Sequence, residues 1–206
     1  MDAALSVRRL TVGPAAENCY IAWREGASSA LVIDPGDEGK RIRALLDSLS
    51  LSPGAVLLTH GHFDHTGGLD AFLDTPRYLH EEDLPMLNDS RLNASFLAGD
   101  ERPRPEDALP VREGDTLYLC GLNVSVLHTP GHTRGSVCYS VEDQALFTGD
   151  TLFRGSWGRT DLYGGDSTQM AQSLRRLLTF SRDLPVYPGH GPKTTLFSER
   201  GLLWNF

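Results

Sequence analysis

Four metal-binding side chains stand within six residues at His60-Gly61-His62-Phe63-Asp64-His65, directly after the apolar run Ala55-Val56-Leu57-Leu58. Imidazole and carboxylate donors together suit zinc, iron or manganese. A catalytic zinc takes three protein ligands and leaves a position for water, so four donors exceed what one open site needs. The cluster is therefore read as feeding two metals. In an extended segment His60 and His62 point to the same side. Asp64 and His65 then swing toward a neighbouring position as the chain turns at Thr66-Gly67-Gly68. A surface histidine cluster is the plain alternative, but it does not account for four donors at the end of a buried strand.

Three further segments repeat the pattern of a strand followed by a ligand beside glycine. They are His128-Thr129-Pro130-Gly131-His132, Phe147-Thr148-Gly149-Asp150 and Pro188-Gly189-His190-Gly191. The elements that must position them are short. Apolar runs predict strands at residues 5–12, 19–23, 30–33, 55–59, 77–80, 116–120, 123–128, 136–141, 145–148 and 184–187. Ile42, Leu45, Leu46 and Leu49 follow helical spacing and predict a helix over 37–50, as Met170, Leu174, Leu177 and Leu178 do over 168–180. Shorter helices are expected at 68–73 and 81–87. Residues 88–110 show no periodicity and carry Pro103, Pro105 and Pro110, the signature of a lid, a binding loop or a surface excursion. Strands, helix and ligand loop, then strands and helix again, describe two sheets between helices with ligands on loops.

The chain has 206 residues, 40% hydrophobic and 22% charged, which is ordinary for one sizeable soluble domain spanning 1–206. A formal charge of −8 argues against nucleic acid as a partner, since phosphate contacts need clustered Lys and Arg. It leaves an anionic small substrate open, because bound cations govern the local field. No apolar run is long enough to span a bilayer. Cys19, Cys120 and Cys138 form no CxxC pair, and no charged-then-apolar leader precedes them, so a reduced, cytoplasmic protein is expected.

Together, Thr59-His60-Gly61-His62-Phe63-Asp64-His65, Thr129-Pro130-Gly131-His132-Thr133, Thr148-Gly149-Asp150-Thr151-Leu152-Phe153 and Tyr187-Pro188-Gly189-His190-Gly191 resemble the metallo-β-lactamase superfamily. The turn Ile33-Asp34-Pro35-Gly36 is matched too, so the resemblance covers nearly the whole chain. Within the superfamily the chain looks most like the small glyoxalase II-like hydrolases. The resemblance implies an αββα sandwich of two mixed sheets with helices on both outer faces. It implies one metal held by His60, His62 and His132, a second held by Asp64, His65 and His190, and Asp150 bridging both. His128 is read as structural, and His80 is given no metal role.

Two divalent cations about 3.5–4 Å apart clamp a shared water and lower its pKa toward ~7. Zinc is the expected metal, with iron and manganese accepted by the same donors. The implied reaction is hydrolysis of a hydroxyacylglutathione thioester by metal-bound hydroxide, with Asp64 and Asp150 as the catalytic carboxylates. A thiolate leaves with little help from an acid, its thiol pKa being only about 8.5. Only sixteen residues follow His190, so the helical segment that completes glutathione binding in full-length glyoxalase II is not expected here. Arg159, in Gly158-Arg159-Thr160-Asp161, sits where that enzyme carries a basic substrate contact, and it is a candidate either for a substrate carboxylate or for an ion pair with Asp161. Arg154 and Lys193 are weaker candidates. Arg154-Gly155 and Gly158-Arg159-Thr160-Asp161 also resemble persulfide dioxygenases of the same superfamily, which would use one iron on His60, His132 and Asp150. A lactonase fits the same chemistry, while β-lactamase, nuclease and purely regulatory roles are disfavoured.

Overall fold

Apolar runs uninterrupted by polar alternation belong to strands covered on both faces, and here they are. The computed structural model describes residues 4–100, 102 and 104–205. Its first sheet has six strands in sequential order: β1 (Leu5–Val12), β2 (Glu17–Arg24), β3 (Ser29–Ile33), β4 (Ser52–Leu57), β5 (Arg77–His80) and β6 (Leu109–Val111). The first three are antiparallel, and β3 to β6 run parallel. The second sheet contains β7 (Thr116–Leu119), β8 (Leu122–His128), β9 (Val137–Val141), β10 (Ala145–Gly149), β11 (Pro185–Pro188) and β12 (Thr194–Thr195), ordered from β12 back to β7. There β10 and β11 are parallel and the other pairs antiparallel.

Side chains alternate between two cores. Leu31, Ile33, Ala55 and Leu57 face inward and pack with Val124, Val126, Tyr139 and Phe147 of the opposing sheet. Their neighbours Ala30, Val32, Val56 and Leu58 face outward onto Ile42 and Leu46 of helix α1 (Gly39–Ser48). On the far side Cys138, Leu146 and Val186 meet Met170, Leu174, Leu177 and Leu178 of a longer helix, Ser167–Leu178. Each such buried aliphatic side chain contributes about 1.5–3 kcal/mol. The arrangement is the expected αββα sandwich. It belongs to a chain in which no helix, among the described residues, is long and apolar enough to cross a membrane.

The differences from the sequence reading have local causes. Helix α1 starts two residues late because Glu38 sits at φ 51°, in the left-handed region, so the helical hydrogen bonding begins only at Gly39. Residues 68–73 and 81–87 contain 3-10 turns, Leu69–Phe72 and Glu81–Asn88, the second with Pro85 inside it. The 88–110 segment is not structureless. It holds a 3-10 turn at Ser95–Ala98 and ends in β6, where Pro110 is tolerated because the strand lies on the sheet edge. Pro103 lies outside the described residues. A single helical turn, α2 (Phe63–Thr66), carries half of the histidine motif, and the Ser167–Leu178 helix is α3.

Candidate metal centre

The loops after β4, β8, β10 and β11 bring all seven candidate ligands together. Donor atoms of His60, His62 and His132 lie within 4.8 Å of one another, and so do those of Asp64, His65 and His190. Asp150 stands between the two triads. Its Oδ1 is 3.4 Å from His65 Nε2, and its Oδ2 is 3.5 Å from His132 Nε2 and 3.7 Å from His190 Nε2. Asp64 Oδ2 is 3.3 Å from His190 Nε2, and His62 Nδ1 is 2.8 Å from His132 Nε2.

Local backbone geometry makes this convergence possible. His62 is extended (φ −66°, ψ 153°) and α2 begins immediately after it, so Asp64 and His65 turn away from His60 and His62. Gly149 adopts φ +47°, and a Cβ there would stand 2.2 Å from Thr59 Oγ1. Gly189 lets the His190 loop pass against Asp150, where a Cβ would meet Oδ1 at 2.4 Å. The loop is held by Asn18, whose amide donates to the Pro188 and Gly191 carbonyls, and by the Tyr20 hydroxyl, which donates to Pro188 at 2.7 Å.

The hydrogen bonds set the histidine tautomers. Asp34 accepts from His65 Nδ1 at 3.0 Å, which turns His65 Nε2 toward Asp150 Oδ1 at 3.4 Å. The Thr59 hydroxyl donates to Asp34, so its oxygen accepts from His60 Nδ1 at 3.1 Å and His60 Nε2 is freed likewise. His132 Nδ1 donates to the Arg159 carbonyl at 2.7 Å. Three imidazoles thus anchor one nitrogen outward and offer the other inward, the usual support for metal-ligating histidine.

Burial lowers the His60 pKa well below its ordinary value, aided by the His65 charge, and brings His62 down to about 3, aided by His132. At His65 burial opposes the charge, but Asp34 and Asp150 outweigh it and raise the pKa. Burial likewise opposes ionisation of Asp150, yet His65 and the neighbouring histidines hold its carboxyl below the ordinary range. His60 and His62 are thereby held neutral and Asp150 ionised, the states that ligate a divalent cation, whereas His65 would give up its inner proton when a cation binds. The buried His60 Nε2 and His62 Nε2 also have no hydrogen-bond partner. Buried polar atoms are otherwise almost always paired, so a cation-shaped demand is built into the cluster, and the donor set fits zinc, iron or manganese.

Several supporting residues carried no signal of their own in the sequence. Asp34 was legible only as part of a turn. Asp83 is buried and accepts from Gly61 N at 3.0 Å, Thr133 Oγ1 at 2.6 Å and Gly135 N at 2.7 Å, tying the His60–His62 loop to the His132 loop. Buried Arg104 donates to Thr66 Oγ1 at 3.0 Å, and Asn93 O accepts from Phe63 N at 3.0 Å. The 88–110 segment therefore braces α2. The Arg159 guanidinium is exposed and makes two 2.7 Å bonds to Asp161, so the residue meets the centre through its backbone carbonyl. His128 and His80 stack, with centroids 4.2 Å apart at 9°. Glu82 offers a third donor there, but parallel rings aim their in-plane lone pairs side by side rather than at one point.

A family model for the metallo-beta-lactamase superfamily matches residues 12–190. The chain belongs to that superfamily, a family of metallo-hydrolases. It is 35% identical over 193 residues to the hydroxyacylglutathione hydrolase GloC of Haemophilus influenzae, covering 89% of this chain and 90% of GloC. Among solved structures it is similar to the B3 metallo-beta-lactamase BLEG-1, with TM-score 0.89, 38% identity and coverage of 95% and 97% of the two chains. It is also similar to TTHA1623 in a di-iron-bound form, with TM-score 0.81, 42% identity and coverage of 93% and 96%.

Proposed function

We propose that this protein is a thioester hydrolase of the hydroxyacylglutathione type, built on a centre for two divalent cations. His60, His62 and His132 would hold one cation, Asp64, His65 and His190 the other, and Asp150 both. The observation that carries this reading is the position of Asp150, whose Oδ1 is 3.4 Å from His65 Nε2 and whose Oδ2 is 3.5 Å from His132 Nε2 and 3.7 Å from His190 Nε2, so that one carboxylate reaches both triads. When bound, such a pair supplies Lewis acidity and lowers the pKa of water toward ~7. The chain's own groups do the rest. Asp34, Thr59 and the Arg159 carbonyl orient the imidazoles, and Asp83 sets the spacing of the two loops. A cavity of about 90 Å³ beside Asp64, lined by Val12, Pro14, Ala15, Phe63 and Ala98 together with Asp37, Asp100 and Arg102, is where we place the acyl group. The likeness to GloC supports the glutathione thioester. We further read the chain as one domain working in the cytoplasm, in keeping with the free thiols of Cys19, Cys120 and Cys138.

One second reading has an observation of its own. The sequence disfavoured a β-lactamase, yet the likeness to BLEG-1 returns the β-lactam amide to the substrates that must be assayed. The test is to purify the protein, count its metals, and compare hydrolysis of lactoylglutathione with that of a chromogenic β-lactam, while following oxygen uptake with glutathione persulfide. Thioester hydrolysis with close to two metals per chain, abolished by a chelator and restored by zinc, is expected. Faster β-lactam turnover, or one iron with oxygen uptake, would overturn it.

A further inference from the structure

We propose that Glu17 is a positioning residue for the second triad, backing His65 with its carboxyl group and His190 with its main chain. The proposal rests on the two-cation reading above and extends it to a residue outside the seven ligands. Glu17 opens β2 and is fully buried. Its Oε1 lies 3.9 Å from His65 Nδ1, on the side of the ring turned away from Asp150. Neither of its oxygens has a hydrogen-bond partner among the described residues.

Asp34, the other carboxylate at that nitrogen, is fully matched. Its Oδ1 accepts from Thr59 N at 2.7 Å, and its Oδ2 accepts from Thr59 Oγ1 and His65 Nδ1. Donor atoms of Glu17, Asp34 and His65 lie within 4.8 Å of one another, but with Asp34 already filled the three do not form an open cation site. Two carboxyl groups therefore stand behind His65, where His60 has one hydroxyl and His132 one main-chain carbonyl. Acceptor oxygens at the outer nitrogen of an imidazole orient the ring and raise the basicity of its inner nitrogen.

The main chain of the same residue serves His190. Glu17 and His190 form an isolated antiparallel bridge, and Asn18 N donates to the Gly189 carbonyl at 2.8 Å. Gly36 packs against Glu17 from the side of Asp64. A Cβ there would stand 2.6 Å from Glu17 Oε2 and 1.7 Å from the Asp64 carbonyl oxygen, so only glycine leaves room for both. Around Glu17 thus meet the supports of all three members of the second triad.

Packing does not account for a carboxyl group in this place. Burial without a partner costs stability, and an apolar side chain of similar size would fill the same volume without that cost. A buried group left unmatched calls for a role beyond the fold. Support of a cation held by His65 and His190 supplies one.

The experiment uses cobalt(II), titrated into the metal-free protein and followed through its visible bands. The step lost in His190→Ala marks the second triad. Glu17→Met is expected to weaken that step by about 10- to 100-fold and to leave the other unchanged. Glu17→Gln, which keeps the shape and an acceptor oxygen, should weaken it less. The metal-free Glu17→Met protein should melt at or above the parent's Tm, because an unmatched polar group has been removed. A lower Tm with both steps weakened alike would make Glu17 structural and overturn the proposal, as would a second step of parental strength. Imidazole nitrogen spectra of the metal-free protein separate this from the two-cation reading. Glu17→Met should move the His65 resonances and leave those of His132 in place. If the parent takes up one cobalt only, the two-cation reading falls, while a moved His65 resonance still upholds Glu17 as its support. Unmoved His65 resonances would sink the proposal whatever the cobalt count.

Discussion

Asp34 Oδ2 lies 3.0 Å from His65 Nδ1 and accepts the Thr59 hydroxyl at 2.7 Å, so a single carboxylate orients both His65 and, through Thr59, His60. Asp34 also sits at φ 49°, a conformation that asparagine tolerates and alanine resists. Asp34→Asn should keep the turn but remove the charge, lowering metal affinity by about 10- to 100-fold. Asp34→Ala should lose the same affinity and a further ~1–2 kcal/mol of stability from the strained turn. Chelator competition and urea denaturation measure the two effects separately. Unchanged metal affinity in both variants would exclude Asp34 from the support of the centre.

Asp83 closes the gap between the two loops that carry His60, His62 and His132. Removing it as Asp83→Ala leaves the buried Gly61 and Gly135 amides and the Thr133 hydroxyl without their acceptor. With ~1–3 kcal/mol for each orphaned group, and incomplete additivity, a loss of about 2–4 kcal/mol is expected. Thermal unfolding of the metal-free protein should show Tm falling by roughly 5–15 °C.

Gly189→Ala tests the close packing of the His190 loop. Its methyl group would stand 2.4 Å from Asp150 Oδ1 and 2.6 Å from His65 Cε1, both inside van der Waals contact. The variant should fold, with unchanged far-ultraviolet circular dichroism, yet lose its metal on dialysis. Full metal retention would show that the loop yields more easily than its hydrogen bond from Gly189 N to Gly149 O at 2.8 Å indicates.

The stacked pair away from the centre makes a pH prediction. Burial, and then the His128 charge, hold the His80 pKa below its ordinary 6.5. Below that pH the unfolded chain binds a proton that the folded chain refuses, so stability falls as pH drops from 6.5 toward the folded value and is level above it. His80→Gln should flatten that part of the profile. Urea midpoints of the metal-free variant and parent, taken between about pH 5 and 8, give the difference. The same slope in both would mean that His80 is not held neutral.

Much of the molecule was legible before any coordinates. The strands of both cores declare themselves through apolar runs, and β1 and β5 have the bounds that the sequence predicts. The shortfalls trace to features that periodicity does not see. A left-handed Glu38 delays α1, three prolines disguise β6 and its approach, and β12 has only two residues. The seven candidate ligands were legible because each stands in a short, glycine-flanked motif. Asp83, Asn18 and Arg104 were not, because a lone polar residue gives no sign of what it will face.

The sequence by itself determined the chemical types of the donors, their place at strand ends and the layering of the fold. Those depend on residue identity and on periods of two or 3.6, which are local properties of a chain. Tertiary structure alone decided that Asp150 lies between two triads, that Asp34 sets the tautomer of His65, and that Arg159 reaches His132 through its carbonyl. Such relationships depend on how two sheets pack and where their loops converge. The opening histidine motif holds only two of the three members of each triad until that packing supplies the third.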